Sequence, residues 1–392
     1  MKKILIFIPF FLFANILSPL QQELLKDDKN KAIVSGDKLK NSWINPITLQ
    51  YKYNKTNQPF NNIQKTDSFI ISINQPIFKS GAIWASVKYA NVLKSENIEK
   101  TELQKNSLIK QAYEILFNIK KTDIAIKKQK FLIDNANIDI KRKQEQFLSG
   151  VIDSSFVDNA MINKNNLELA LNDLLLQKQT LINSFKNLSN LDYKKVQLPK
   201  LDLISKDEYL RNLNIKIAQK EIKVKKALKY MNIGNSLFSV NLIANYNWID
   251  TKYKDENNIY KDDSNNFYNI GLSVTLPLDI NLLKTAEESK IDYLKSVASY
   301  KDNIIKADNE YNSKIKTIQN IDNKINIYNK TIKNYKSLIL STKDNIKAGI
   351  NTILDLRNLE NSLNIANLNK QSLEVQKEIE LLNLLYLTKG FK

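Results

Sequence analysis

The chain of 392 residues contains no cysteine and no histidine. The lack of cysteine excludes structural disulfides and an N-terminal lipid-modified cysteine. The sequence also has no G-x-S-x-G motif, no P-loop and no spacing typical of metal ligands. We therefore expect that the protein is not an enzyme and that it holds no cofactor or metal.

Arginine is scarce as well, although the formal net charge is +18. The three arginines are Arg142, Arg211 and Arg357. Proteins that read bases and phosphates favour the bidentate guanidinium group of arginine. The lysines here are spread among asparagines along helix faces, a pattern typical of solvated surfaces. The sequence therefore predicts no nucleic-acid partner.

Glycine and proline, which end or bend regular structure, occur only seven times each. Neither residue lies between Gly81 and Gly150, or between Pro277 and Gly349. At 1.5 Å per residue, each interval predicts a helix of about 100 Å.

Apolar residues recur at every seventh position in both intervals, as in a coiled-coil seam. The first set is Ala112, Ile119, Ile126, Ile133, Ile140 and Phe147, and the second is Tyr311, Ile318, Ile325, Ile332, Ile339 and Ile346. One constant offset of 199 residues relates the two sets and also relates Gly150 to Gly349. This pattern indicates an internal duplication.

After each of these glycines the seam continues on a returning helix, which predicts helical hairpins over 80–190 and 280–388. The returning helices are about half as long as their partners. We expect a helix at 205–231 to complete the first of them and residues 20–42 to lie beside the second. Glu380 interrupts the second seam, and the sequence offers no reason for it.

Four segments alternate between apolar and polar residues, as half-exposed strands do: 46–55, 67–76, 237–250 and 266–277. They form two predicted β-hairpins, each with an apolar and a polar face. Because the helices bury their apolar residues against one another, few apolar helix residues are left to cover the apolar face of the strands. Such strands suit a transmembrane barrel. Four strands cannot close a barrel, and open edges are not tolerated in lipid, so the protein must oligomerise.

The predicted fold class is an α+β membrane protein, with a long antiparallel coiled-coil helical barrel and a transmembrane β-barrel shared between protomers. Residues 1–14, a basic start followed by an apolar run, predict a signal peptide. The first repeat spans 15–204 and ends in a linker at 191–204, and the second spans 205–392.

The sequence resembles the TolC-type outer-membrane efflux protein family over nearly the whole mature chain. The resemblance rests on the doubled layout of strands and helical hairpin, on the junction "NQPIFKSGAIWASVKYA", and on the tips "GVIDSSFV" and "GINTILDL". It implies a homotrimer with a twelve-stranded barrel in the outer membrane and a tunnel in the periplasm. It further implies an exit duct, in efflux or type I secretion, that works with an inner-membrane transporter and a periplasmic adaptor (membrane fusion) protein.

In the family, a ring of aspartates near the second tip helps to close the tunnel. Asp355 occupies the first matching position here, whereas Asn358 stands where a second carboxylate is often found. Geometry gives Thr352 and Asp355 a second possible role, the capping of a helix end. The candidate gate and tip residues are Gly150, Asp153, Ser154, Asp158, Gly349, Thr352 and Asp355.

The alternative function is that of a periplasmic coiled-coil adaptor or scaffold without a membrane barrel. Such a protein would not need four amphipathic strands in two hairpins.

Overall fold

The computed structural model describes residues 16–57, 63–254 and 259–388. The described residues are mostly helical, with one four-stranded antiparallel sheet. The predicted signal peptide, 1–14, lies outside the described residues. The elements are α1 Pro19–Lys40, β1 Thr48–Thr56, β2 Gln64–Phe78, α2 Ala82–Leu148, α3 Ser154–Lys186, α4 Lys206–Tyr209, α5 Leu213–Asn235, β3 Ser239–Lys254, β4 Tyr260–Thr275, α6 Leu282–Lys347 and α7 Ile353–Leu385.

The contacts within the chain define two compact units. One contains all four strands and consists of Asp28–Lys100 and Lys216–Asn303. The other contains both hairpin tips and is formed, among the described residues, by 16–27, by Thr101–Ile215 and by 304–388. Each unit takes residues from both predicted repeats.

The two helical hairpins have matching bounds. Helices α3 and α7 begin and end at positions related by the same 199-residue offset as the apolar seams. Helix α2 has 67 residues and α6 has 66, about 100 Å each. Seam residues such as Ala112, Ile119, Ile318 and Ile339 are buried. The duplication read from the sequence therefore reappears in the backbone.

The predicted helix at 205–231 is two helices, α4 and α5. Ser205 caps α4 by accepting a hydrogen bond from the Glu208 N–H. The Asn212 side chain accepts one from the Ile215 N–H at 3.0 Å and so starts α5 anew. Side chains that hydrogen-bond the backbone in this way favour helix ends over helix interiors, so they account for the break.

The expected completion of the returning helices was wrong in its pairing. The Ser18 N–H, just before α1, donates to the Leu188 carbonyl just after α3 at 2.8 Å. The Leu213 N–H, at the start of α5, donates to the Leu387 carbonyl just after α7 at 2.9 Å. Helix α1 therefore meets the end of the first returning helix, and α5 meets the end of the second. Each junction pairs backbone groups that a helix end leaves unsatisfied.

Glu380, which breaks the heptad pattern, is buried and has a charged partner. Its carboxylate lies 2.7 Å from Lys314 Nζ on α6 and also accepts a hydrogen bond from Gln376 at 3.2 Å. An ion pair between α6 and α7 thus stands where an apolar contact was expected.

The two predicted β-hairpins form one sheet in the order β1-β2-β3-β4. The strands run beyond the predicted bounds, to 15 residues in β2 and 16 in β3 and β4. Pairing across β1 to β4 aligns Leu49, Ile71, Tyr246 and Tyr268 on the apolar face. The opposite face is less uniformly polar than expected, since Ile70, Ile243 and Phe267 lie on it by the same register.

Candidate functional site

The first tip joins α2 to α3 through Gly150, whose φ of +72° lies in the left-handed region that favours glycine. The Gly150 N–H donates to the Phe147 carbonyl and the Val151 N–H donates to the Gln146 carbonyl, both at 2.9 Å. Such bonds satisfy carbonyl groups at the end of a helix, so the chain turns sharply here.

Asp153 begins the returning helix α3. Its carboxylate accepts a hydrogen bond from the Ser155 N–H at 2.8 Å, and this bond lowers the pKa of Asp153. Ser154 Oγ lies 3.4 Å from the same carboxylate, and Asp158 is exposed one turn further along. Within the described residues, no lysine or arginine forms an ion pair with Asp153 or Asp158. The first tip is therefore a capped turn that carries two solvated carboxylates.

The second tip repeats this backbone, and Gly349 also has a φ of +72°. Thr352 and Asp355 then cap α7 reciprocally. The Asp355 N–H donates to Thr352 Oγ1 at 3.3 Å, and the Thr352 N–H donates to Asp355 Oδ2 at 2.9 Å. This capping box satisfies two N–H groups at the helix start. The structure thus brings Gly349, Thr352 and Asp355 together.

Asp355 has a second partner on the other hairpin. Arg142, near the end of α2, forms an ion pair with its carboxylate. The pKa of Asp355 is lowered first by the hydrogen bonds from the Thr352 backbone and side chain, and then by the charge of Arg142. About a third of each side chain in the pair is exposed. Asp355 therefore both caps α7 and links it to α2.

A second link joins the same two helices. Arg357 Nη2 lies 2.8 Å from Asp134 Oδ1 and Arg357 Nε lies 3.1 Å from Asp134 Oδ2, a bidentate pair. The buried Asn361 amide donates to Asp134 Oδ2 and to Asn135 Oδ1, both at 2.8 Å. Partial burial raises the pKa of Asp134, but the hydrogen bonds from Asn361 and Arg357 outweigh it, so the pKa is lowered.

We call Asp134, Arg142, Asp355, Arg357 and Asn361 the tip clamp. Sequence reasoning found only Asp355 among them. Two of the three arginines in this lysine-rich chain lie close to the tips, and this was the signal that could have found the clamp. In the described residues, the structure records no hydrogen bond or ion pair between the candidate residues of the first tip and those of the second.

None of the helices in the part of the chain that the structure describes combines the length and the apolarity needed to cross a membrane.

Residues 209–388 match the family described as Outer membrane efflux protein. This match lies within the second predicted repeat and covers a little under half of the chain. No protein of curated function matches the chain in sequence.

Solved structures extend the likeness to both halves of the chain. The CmeC outer membrane channel of Campylobacter jejuni is 16% identical, with a TM-score of 0.75, over 96% of this chain and 84% of CmeC. The outer membrane protein VceC of Vibrio cholerae is 14% identical, with a TM-score of 0.72, over 95% of this chain and 93% of VceC. The open state of the MtrE outer membrane channel of Neisseria gonorrhoeae is 15% identical, with a TM-score of 0.60, over 97% of this chain and 92% of MtrE. At these identities the comparisons show the fold.

The family match confirms the predicted resemblance. It also confirms the predicted function of an outer-membrane exit duct in efflux, and the location in the outer membrane with an extension into the periplasm. The family consists of transport proteins, which agrees with the expectation that the chain is not an enzyme and weighs against the adaptor alternative.

Proposed function

We propose that the duct is a closed homotrimer in which each chain contributes four strands to one transmembrane barrel. The observation that carries this proposal is the exposed apolar face of the sheet. On β4, Tyr268, Ile270, Leu272 and Val274 are between 66% and 75% exposed. An apolar surface of this extent is costly in water and stable in lipid.

The open edges of the sheet support closure by other copies. Strand β1 pairs only with β2, and β4 pairs only with β3, in the described part of the chain. Backbone groups at such edges must find partners inside a membrane. Pairing of β4 of one copy with β1 of the next satisfies both edges, and three copies, the number implied by the family resemblance, give twelve strands.

The absence of native cysteine makes this pairing directly testable by crosslinking. Gln50→Cys on β1 is combined, one pair at a time, with cysteines at alternate β4 positions from 265 to 273, and a short bis-maleimide is added. Within one chain β1 and β4 are three strand spacings apart, about 14 Å, which is too far for a short linker. We expect a ladder of monomer, dimer and trimer. A ladder that continues beyond trimer, or no crosslink at any position, contradicts the proposal, and Gln50→Cys alone is the control.

We infer that the tips face the periplasmic adaptor, which connects the duct to the inner-membrane transporter. Exposed apolar side chains at both tips support this inference: Val151 is 70% exposed and Ile350 is 73% exposed. Apolar residues exposed together often mark a protein interface. In whole cells, cysteines at these two positions should crosslink to the cognate adaptor, whereas Tyr260→Cys at the far end of β4 should not. Crosslinks from Tyr260→Cys alone would contradict the orientation.

The tip clamp supports a gate at the tip end of the helical hairpins. It ties α7 of the second hairpin to α2 of the first, so α7 cannot move away until two ion pairs break. Symmetry would bring three copies of Asp355 around one axis, as the family resemblance implies. Because Arg142 offsets the charge of each Asp355, the attraction of cations by such a ring is weaker than that of bare carboxylates. We therefore propose that the clamp acts mainly as a latch, that is, as a contact that holds the tip end of the duct closed.

Single-channel recording in planar bilayers separates the latch from the acidic ring. If the clamp is a latch, Asp355→Asn and Arg142→Gln should both raise conductance. If the ring dominates, Asp355→Asn should lower the preference for cations while Arg142→Gln should raise it. Asp153→Asn, a cap without an arginine partner, is the matched control and should change neither property. Unchanged conductance in both clamp variants would contradict the latch.

A further inference from the structure

A groove beside the sheet collects three lysines that have no carboxylate partner in the part of the chain that the structure describes. Helices α2 and α5 form this groove, which has a volume of about 640 Å³. We call it the lysine groove and define it by six of the residues that line it: Trp84, Lys88, Val92, Lys223, Lys226 and Tyr230.

Three other lysines of α5 are neutralised within the chain. Lys216 and Lys220 both form ion pairs with Glu99, and Lys225 Nζ lies 2.8 Å from Asp292. Lysines in this part of the protein can therefore form ion pairs with carboxylates of neighbouring helices.

The groove lysines differ from these. No carboxylate of the described residues lies within 4.0 Å of the Nζ atoms of Lys88, Lys223 or Lys226. Lys88 Nζ instead lies 4.7 Å from the ring centre of Trp84. Like charges that converge on one groove repel one another, and an anion bound among them relieves this repulsion.

The groove lies next to the strands. Gly234, near the end of α5, approaches the start of α2 so closely that a Cβ added to it would lie 2.8 Å from the Ala82 nitrogen. Ser80 Oγ donates to the Phe238 carbonyl at 2.7 Å. The two helix ends therefore sit at one level, where the strands end.

Distances along the helices give the depth of the groove. At 1.5 Å per residue, Trp84 lies about 3 Å from the start of α2, and Tyr230 lies about 8 Å from the end of α5. Lys226 lies at about 13 Å from the end of α5 and Lys223, the deepest of the three lysines, at about 18 Å, and lysine side chains can extend their charged ends toward a membrane surface. Since the headgroup layer adds roughly 5–8 Å on each side of the hydrocarbon, the end of the groove nearest the strands lies within reach of lipid headgroups.

We propose that the lysine groove binds the headgroup of an anionic glycerophospholipid in the periplasmic leaflet of the outer membrane. Lys88 and Lys226 hold the phosphate, Lys223 adds positive charge behind it, and the rings of Trp84 and Tyr230 contact the glycerol and the first acyl carbons. Aromatic rings and basic side chains are favoured at this boundary. The inference rests on the proposed position of the sheet in the membrane.

Tryptophan fluorescence tests the proposal, because Trp43, Trp84 and Trp248 are the only tryptophans of the chain. The full chain is reconstituted in vesicles that contain acyl-brominated phosphatidylglycerol or acyl-brominated phosphatidylcholine. In a variant that keeps only Trp84, we expect quenching at least about twofold stronger with the anionic lipid at low salt. The preference should be lost on combining Lys88→Gln, Lys223→Gln and Lys226→Gln. Equal quenching by the two lipids overturns the proposal.

A matched control carries the same change in charge outside the unit that contains the strands, with Lys330→Gln, Lys333→Gln and Lys336→Gln on α6. This control variant should keep the stronger quenching by the anionic lipid. A loss of that preference in the control would also overturn the proposal. Inorganic phosphate is added in a further arm. If phosphate abolishes the preference, the groove binds a free anion rather than a lipid. If neither lipid quenches Trp84, lipid does not reach the groove, and the proposal is overturned as well.

A variant that keeps only Trp248 separates this inference from the proposed barrel. Trp248 lies on the apolar face of the sheet, opposite Phe69. Both brominated lipids should quench it if the sheet lies in the membrane. Quenched Trp248 with no lipid preference at Trp84 contradicts only the lysine groove, whereas unquenched Trp248 contradicts the barrel itself.

Discussion

A single arginine on the sheet distinguishes a lipid-facing surface from a water-facing one. Ile270 is 71% exposed on the apolar face of β4 and pairs with Ala244 of β3. Its neighbour Asn269 points to the opposite face, where the Asn245 side chain donates to it at 3.4 Å. We compare Ile270→Arg with Asn269→Arg, which add the same charge at almost the same depth.

The position of Ile270 sets the expected magnitude. It lies five residues from the end of β4 at Thr275, about 17 Å along the strand. With a strand tilt of about 40°, this is about 13 Å along the membrane normal, half of an apolar band of about 25 Å. Ile270→Arg should therefore lower the free energy of unfolding by about 2–4 kcal/mol. Asn269→Arg removes at most one weak hydrogen bond and should cost less than about 1 kcal/mol.

The measurement is urea unfolding of the protein in lipid vesicles, followed by the gel mobility of the folded oligomer. The two variants should unfold at different urea concentrations, while the slope of the unfolding free energy against urea concentration stays the same. Equal losses at the two positions, or a larger loss for Asn269→Arg, would show that the apolar face does not contact lipid.

Three further predictions concern the helices. Gly349→Ala should destabilise the second tip by about 1 kcal/mol, because alanine disfavours a positive φ, and a thermal unfolding curve identical to that of the parent would refute this. The pKa values of Asp355 and Asp134 are lowered by folding, so their stabilising contribution is full above the unfolded value of about 3.9 and is lost as the pH falls through the folded values. Single-channel conductance should therefore rise only below about pH 4, and a rise near neutral pH would exclude these carboxylates as its cause. Glu380→Ala should cost about 1–3 kcal/mol because it leaves Lys314 without its partner, and chemical denaturation should show a smaller loss for Glu380→Gln.

Periodicity in the sequence predicted much of the fold. The seven-residue spacing from Ala112 to Phe147 requires a long helix with one apolar stripe, and the repeat at a constant offset requires a second such helix. The glycines at 150 and 349 mark the turns because each adopts a positive φ. Alternation along the strands predicted their faces, but not the apolar exceptions such as Ile243.

The partners of each element could not be read in this way. An amphipathic stripe shows that a helix packs against something, but not against what, so the pairing of α1 with α3 and of α5 with α7 was missed. The tip clamp was missed for a related reason. Arg142 and Asp355 are 213 residues apart, and only the packing of the two hairpins brings them together.

The most direct test of the account is the number of chains in the folded protein extracted from the outer membrane. Native mass spectrometry in a mild detergent measures it without engineered residues. A shared barrel of three chains predicts one species with three times the mass of the mature chain, since only a closed ring satisfies the edges of β1 and β4. A well-folded monomer in detergent would contradict the shared barrel.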